Sequence, residues 1–320
     1  MRIAIAGTGR LGTSVLAPLL DSNHEVVAVV LDGRNTRGLR RRFNSFFAPF
    51  FISHHSFIGM ARRNRIPQFW LDTMSEAALA PLAALNIDIL LVSGFAIILK
   101  DPLLRLPAIG CVNMHSSLLP RHRGANPFYA VISDGDRSSG ISFHVMEAGI
   151  DTGPILKQVA FDLEPRETLF TLYDKCCRTA TSHVVDLMDE IASHGLVGTP
   201  QDLSLATYDK KPTEAGSWID WTQPADWLER QVRAHESRPL SRFRFENKTV
   251  LILKASFDTT PVEEAPGTVI EVQPVPVIAT GEGTLILDQA IQTRPVTWVW
   301  PHPWSKPKVG DVFPAEDRER

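Results

Sequence analysis

The strongest constraint on the fold is an alternation of element types over the first two thirds of the chain. Short apolar runs at residues 2–6, 25–31, 88–92, 111–114 and 142–146 alternate with helix-like stretches at 14–20, 75–85 and 168–192. Runs that are apolar on both faces need helices above and below them, which predicts a doubly wound, Rossmann-like α/β domain with a parallel sheet. Beyond residue 240 the period changes. Short β-type runs at 242–246, 249–255, 267–272, 275–280 and 284–288 are separated by Pro, Gly and charged turns, which predicts a smaller β-barrel. With 320 residues the chain suits two domains. They are placed at 1–203 and 218–320, joined by a polar linker at 204–217.

With 44% hydrophobic and 22% charged residues this is an ordinary globular composition. The net charge of -3 gives no global attraction to nucleic acid, so a surface for such a partner must be local. The most apolar stretch, 87–99, is interrupted by Asp88, Ser93 and Gly94, short of the ~20 residues that cross a bilayer, so no membrane association is expected. The first residues read as a strand running into a glycine turn, not as a secretion signal. Cys111 sits in an apolar segment and Cys176 and Cys177 are adjacent, with neither a disulfide framework nor metal-ligand spacing. The expected compartment is the reducing cytoplasm, and oligomeric state is left open.

Gly7-Thr8-Gly9-Arg10-Leu11-Gly12 follows a strand and precedes a helix, and Asp32 lies where a dinucleotide fold places its ribose ligand. One reading is therefore nucleotide-linked redox chemistry. The other is that a first strand-to-helix turn needs glycine for tight packing.

Residues 111–124 read Cys-Val-Asn-Met-His-Ser-Ser-Leu-Leu-Pro-Arg-His-Arg-Gly. Two positions apart on a strand, Asn113 and His115 share a face. An amide donor beside an imidazole suits acyl transfer, where one stabilises a developing oxyanion and the other manages protons near neutral pH. Asp151, in the loop Gly149-Ile150-Asp151-Thr152-Gly153-Pro154, is the carboxylate expected to orient that imidazole. Each residue alone is more often a satisfied turn or core residue.

Together, Asn113, His115, Ser117, Leu118, Leu119, Pro120, Arg123 and Gly124, followed by Asp151 and Gly153, resemble the formyltransferase family that uses 10-formyltetrahydrofolate. The resemblance implies Asn113, His115 and Asp151 as the catalytic set and the folate as co-substrate. It implies a pterin site built from Phe95, Ile97, Ile98 and Leu99 on one loop and Glu147, Gly149 and Ile150 on another, with Ser117, Leu118 and Pro120 beside it. The second half resembles the carboxyl-terminal, oligonucleotide-binding-type barrel of members that act on methionyl-tRNA or on amino sugars. The segments that carry this are Ile219-Asp220-Trp221, Leu228-Glu229-Arg230, Pro266-Gly267-Thr268 and Ala279-Thr280-Gly281-Glu282-Gly283.

The acceptor is where the chain leaves the pattern. After the second strand come Arg34, Arg37, Arg40, Arg41 and Arg42, five arginines within nine residues, which with Gly124 form the expected acceptor-binding set. They suit phosphates, but the lysine-and-proline sequence of the tRNA-acting members is missing. A phenylalanine-rich stretch at 43–57 follows instead, and the tail at 296–304 with Trp298, Trp300 and Trp304 matches nothing in the family. Two acceptors stay open: methionyl-tRNA, and a small amine such as an amino sugar. A dinucleotide-binding protein or a catalytically idle nucleic-acid-binding module is the reading from another class.

Overall fold

The structure, a computed structural model, describes residues 1–34, 56–237, 239–246, 248–292 and 307–314. The elements in chain order are β1 (Arg2–Gly7), α1 (Gly9–Leu20), β2 (Glu25–Asp32), α2 (Phe57–Arg63), β3 (Gln68–Leu71), α3 (Glu76–Ala83), β4 (Ile89–Ser93), β5 (Gly110–His115), β6 (Arg123–Gly124), α4 (Pro127–Ser133), β7 (Ser138–Val145), β8 (Ile155–Asp162), α5 (Leu169–His194), β9 (Tyr208–Asp209), α6 (Ala225–Ala234), β10 (Arg242–Phe245), β11 (Lys248–Asp258), β12 (Val269–Glu271), β13 (Val277–Ala279) and β14 (Thr284–Gln292). They fall into two compact units, one of residues 1–127, 138–162 and 173–209, the other of 128–137, 163–172 and 210–320.

The first unit is built on a seven-stranded sheet of order β3-β2-β1-β4-β5-β7-β8. From β3 to β5 every pair is parallel, as the double-sided burial of β1 and β4 requires. The last two strands differ from the sequence expectation of an all-parallel sheet. β7 runs antiparallel to β5, and β8 antiparallel to β7. Residues 146–154 join β7 to β8 as a loop with no helix, too short for a crossover, so that pair closes only in the antiparallel sense, whereas residues 116–137, with β6 and α4, lead from β5 to β7. The two edge strands are less buried: in β3 only Leu71 is fully buried, and from Lys157 onward β8 alternates between half-buried and exposed residues. α2 and α3 are each started by a serine, Ser56 and Ser75, whose hydroxyl accepts an amide hydrogen from the first turn. One core cluster of this unit packs Ala4, Ala6, Val30, Leu90 and Val92 of the parallel strands against Leu79, Leu82 and Leu103.

The second unit contains an antiparallel five-stranded sheet of order β10-β11-β14-β13-β12 with α6 packed on β11 and β14. β11 is 11 residues long and its pairing with β14 slips at two places, which bends the strand as a small barrel needs. The core is aromatic: Trp221 is fully buried, with ring centroids 5.5 Å from Phe243 and 5.6 Å from Phe313.

Candidate active site

Pairing between β5 and β7 assembles the site. Asn113 lies opposite His144, and His115 opposite Ser142, so all four side chains share one face. The loop after β7 turns back over that face. It is started by the Met146 amide on the Cys111 carbonyl and closed by the Val145 amide on the Pro154 carbonyl. Gly153 is required there, because a Cβ would come within 2.0 Å of the Val145 carbonyl oxygen. Asp151, held at a positive φ of 52°, points its carboxylate into the cluster.

That carboxylate is the hub. Oδ1 accepts from Asn113 Nδ2 at 3.3 Å and lies 3.4 Å from His144 Nε2. Oδ2 accepts from the Gly124 amide at 2.9 Å and lies 3.6 Å from His115 Nδ1. Burial alone would raise its pKa, but His144, His115 and the Gly124 amide outweigh burial, and the carboxyl is lowered to about 2. Asp151 is therefore an anion at neutral pH. His115 goes the other way. Burial pushes its pKa below the ordinary histidine value despite the neighbouring carboxylate, so the ring is neutral and available as a base. Its Nε2 is 2.7 Å from the carbonyl oxygen of His122. Asn113 Nδ2 is also 3.1 Å from His144 Nε2.

His144 was not anticipated. The alternation within 142–146 was readable, but which residue faces Asn113 depends on register between two strands, which composition does not encode. Gln201 was also missed: its Nε2 donates to the carbonyls of Asp151 and Gly153 at 2.9 and 2.7 Å, fixing the loop from the segment that follows α5.

The other predicted residues divide. Ile98 and Ile150 are exposed at 61% and 48%, large apolar side chains open to a ligand on the loops after β4 and β7. Glu147 and Gly149 are exposed beside Ile150, and Leu118 and Pro120 are half-buried. Ile97 and Leu99 instead belong to the core, with Phe95 packed against it, so there only backbone groups and the Phe95 edge remain to meet a ligand. Ser117 is fully buried and gives its hydroxyl hydrogen to the Arg121 carbonyl at 2.9 Å, so it shapes the loop. Gly124 acts inward, its amide on Asp151.

The glycine turn is accounted for by packing. A Cβ on Gly7 would lie 2.8 Å from the Ser93 carbonyl oxygen, and one on Gly12 would lie 2.9 Å from the Phe57 ring. The first turn of α1 is met by Tyr173, whose hydroxyl accepts the Leu11 amide hydrogen at 3.1 Å. Asp32 is paired with Arg34 at 3.0 Å.

Two family models match: formyl transferase over residues 1–187, and formyl transferase, C-terminal domain, over residues 212–296. The chain belongs to the formyltransferase family. It is 35% identical over 271 residues, 84% of each chain, to methionyl-tRNA formyltransferase of Pseudomonas putida. Among solved structures it resembles the Helicobacter canadensis N-formyltransferase, in complex with folinic acid and dTDP-3-aminofucose (TM-score 0.67, 18% identity, 90% of this chain and 98% of that one). It also resembles the sugar 3N-formyltransferase WlaRD, with dTDP and 5-N-formyl-THF (TM-score 0.68, 19% identity, 91% and 97%). At these identities the structural likeness speaks to the fold.

In this formyltransferase Arg34 is the one arginine of the basic stretch within the described residues, and its guanidinium is held by Asp32 and the Ala96 carbonyl. Arg37, Arg40, Arg41 and Arg42, most of the phenylalanine-rich stretch and the tryptophan tail lie outside the described residues. No helix among the described residues is long and apolar enough to cross a membrane.

Proposed function

We propose that this formyltransferase moves the formyl group of 10-formyltetrahydrofolate to the amino group of methionyl-tRNA. The observation that carries the transfer chemistry is a neutral, buried His115 placed 3.6 Å from an anionic Asp151, with the Asn113 amide on the same carboxylate. Support for the acceptor is the 35% identity over 84% of the chain to relatives named for that reaction. Residues 1–203 carry the transfer, and the barrel of 218–320 serves acceptor recognition together with the arginine-rich stretch. Cys111, Cys176 and Cys177 are buried thiols, which suits a reducing cytoplasm.

The formyl carbon is attacked by the uncharged amine. Asn113 donates an amide hydrogen to the formyl oxygen as negative charge develops there, the 3.3 Å bond to Asp151 being the longer and weaker of its two contacts and the one that yields. His115 takes the proton released by the amine, and Asp151 stabilises the imidazolium that results. The proton then returns to the departing N10, leaving tetrahydrofolate. Ile98 and Ile150 supply the apolar wall for the flat pterin, and Glu147, Gly149 and the backbone at 95–99 its polar contacts.

A small amine acceptor, such as an amino-sugar nucleotide, is the second reading, favoured by the absence of the tRNA-acting members' lysine-and-proline sequence after Arg34. The test incubates the protein with 10-formyltetrahydrofolate and either methionyl-tRNA or a panel of amines. Formylated methionyl-tRNA, with an apparent affinity that falls steeply as salt rises, supports the first acceptor. Transfer to a small amine alone removes it.

A further inference from the structure

We infer that His122 and Asp209 are positioning residues for the transfer step: Asp209 secures the His122 side chain, and the His122 carbonyl keeps the proton of His115 on Nε2, leaving Nδ1 as the atom that takes the proton from the amine. The inference rests on the formyl-transfer reading above.

A carbonyl oxygen only accepts hydrogen bonds. The 2.7 Å contact between His115 Nε2 and the His122 oxygen therefore requires a hydrogen on Nε2. In the neutral ring the lone pair is then on Nδ1, the nitrogen that faces Asp151. Everything depends on where the His122 carbonyl points, and His122 is in the left-handed region at φ 59°, which a non-glycine residue keeps only when its surroundings hold it there.

Those surroundings come from a segment that read as plain linker. β9 pairs in parallel with β6, matching Arg123 with Tyr208 and Gly124 with Asp209. The His122 amide donates to Thr207 Oγ1 at 2.8 Å, and the Arg123 amide to the Thr207 carbonyl at 3.0 Å. The His122 ring, almost fully buried, is 2.8 Å from Asp209 Oδ2 through Nδ1 and 3.3 Å from Arg121 Nη2 through Nε2. A guanidinium only donates, so Nε2 accepts, and Nδ1–H donates to Asp209. Asp209 and Arg121 face the His122 ring, and His115 and the Ser117 hydroxyl both reach its carbonyl. The groups facing His115 are Asp151, His144 and His122. Arg123 completes the strap, donating to Gln201 Oε1 at 2.7 Å and to the Tyr208 hydroxyl at 2.7 Å.

The experiment compares Asp209→Asn, which keeps an acceptor oxygen, with Asp209→Leu, which removes it. Each full-length protein is assayed for formyl transfer, and the histidine ring nitrogens are followed by nitrogen-15 NMR. The expected result is an Asn variant within about threefold of the parent and a Leu variant whose kcat falls about 10- to 100-fold, with KM for 10-formyltetrahydrofolate nearly unchanged. In the Leu variant the His115 resonances should move from the Nε2-protonated pattern to a mixture of tautomers. If Asp209→Leu does not fold, His122→Gly replaces it, since glycine takes a positive φ freely but lacks the tether. A folded Leu or Gly variant with near-parental kcat and His115 still protonated on Nε2 overturns the inference, as does an Asn variant as impaired as the Leu one. If the parent protein transfers no formyl group to any amine, the formyl-transfer reading fails instead, while the nitrogen-15 pattern still decides the tautomer.

Discussion

Replacing Asp151 by Asn keeps the shape of the side chain and removes its charge. In the transfer step His115 gains a proton 3.6 Å from Asp151 Oδ2. At an effective dielectric of about 20, that separation gives an attraction of about 4–5 kcal/mol, on the order of 10³ in rate. The assay is kcat at saturating 10-formyltetrahydrofolate and acceptor near neutral pH, with circular dichroism to confirm the fold. The same charge acts on stability. Asp151 is mostly buried and its carboxyl is lowered from 3.8 to about 2, which corresponds to about 2 kcal/mol in favour of the folded anion. Because the folded value is below the unfolded one, the unfolded chain binds the proton first as pH falls. The contribution is present above about pH 4 and is lost towards pH 2. The Asn variant should therefore lose less stability than the parent across that window. A kcat within tenfold of the parent would refute the electrostatic role of Asp151.

Further outcomes follow from the same geometry. The parent's kcat should fall on the acid side with an inflection below the ordinary histidine value, because burial lowers the pKa of His115 and only its neutral form accepts a proton; a pH–rate profile reads this. Asn113→Ala should lower kcat by about 10²–10³ with the melting temperature nearly unchanged, seen in steady-state kinetics beside a thermal melt. Gly124→Ala should destabilise the first unit by about 1–3 kcal/mol in urea titrations, because its φ is 114° and a Cβ would lie 2.6 Å from the Asp209 carbonyl oxygen. Trp221→Ala should cost about 3–5 kcal/mol in the same titrations by emptying the aromatic core of the second unit.

Much of this architecture could be read from residue order. β1, β2 and β4 are apolar on both faces, and such runs have few alternatives to a parallel sheet under helices. The pairing of Asn113 with His115 followed from the period of a strand, and Asp151 from the family pattern. What could not be read was register. His144 enters because it lies opposite Asn113 across an antiparallel pair, and the sense of β7 was not marked by its own composition. Nor was the strap at 207–209 visible: two residues of strand carry no periodicity, and their polar character is that of a linker. Ile97 and Leu99 illustrate the converse, since a loop that follows a strand was expected to present apolar side chains outward, yet these two complete the core and leave Ile98 exposed.

The most direct test of the account is a single-turnover reaction of the protein with 10-formyltetrahydrofolate and methionyl-tRNA. Formyl-methionyl-tRNA and tetrahydrofolate are followed together, and His115→Ala is run alongside. The account predicts that both products appear at the same rate in the parent protein and that neither appears in the variant. A parent protein saturated with 10-formyltetrahydrofolate that leaves the amine of methionyl-tRNA and of every other acceptor unformylated, or a His115→Ala variant as fast as the parent, would contradict it.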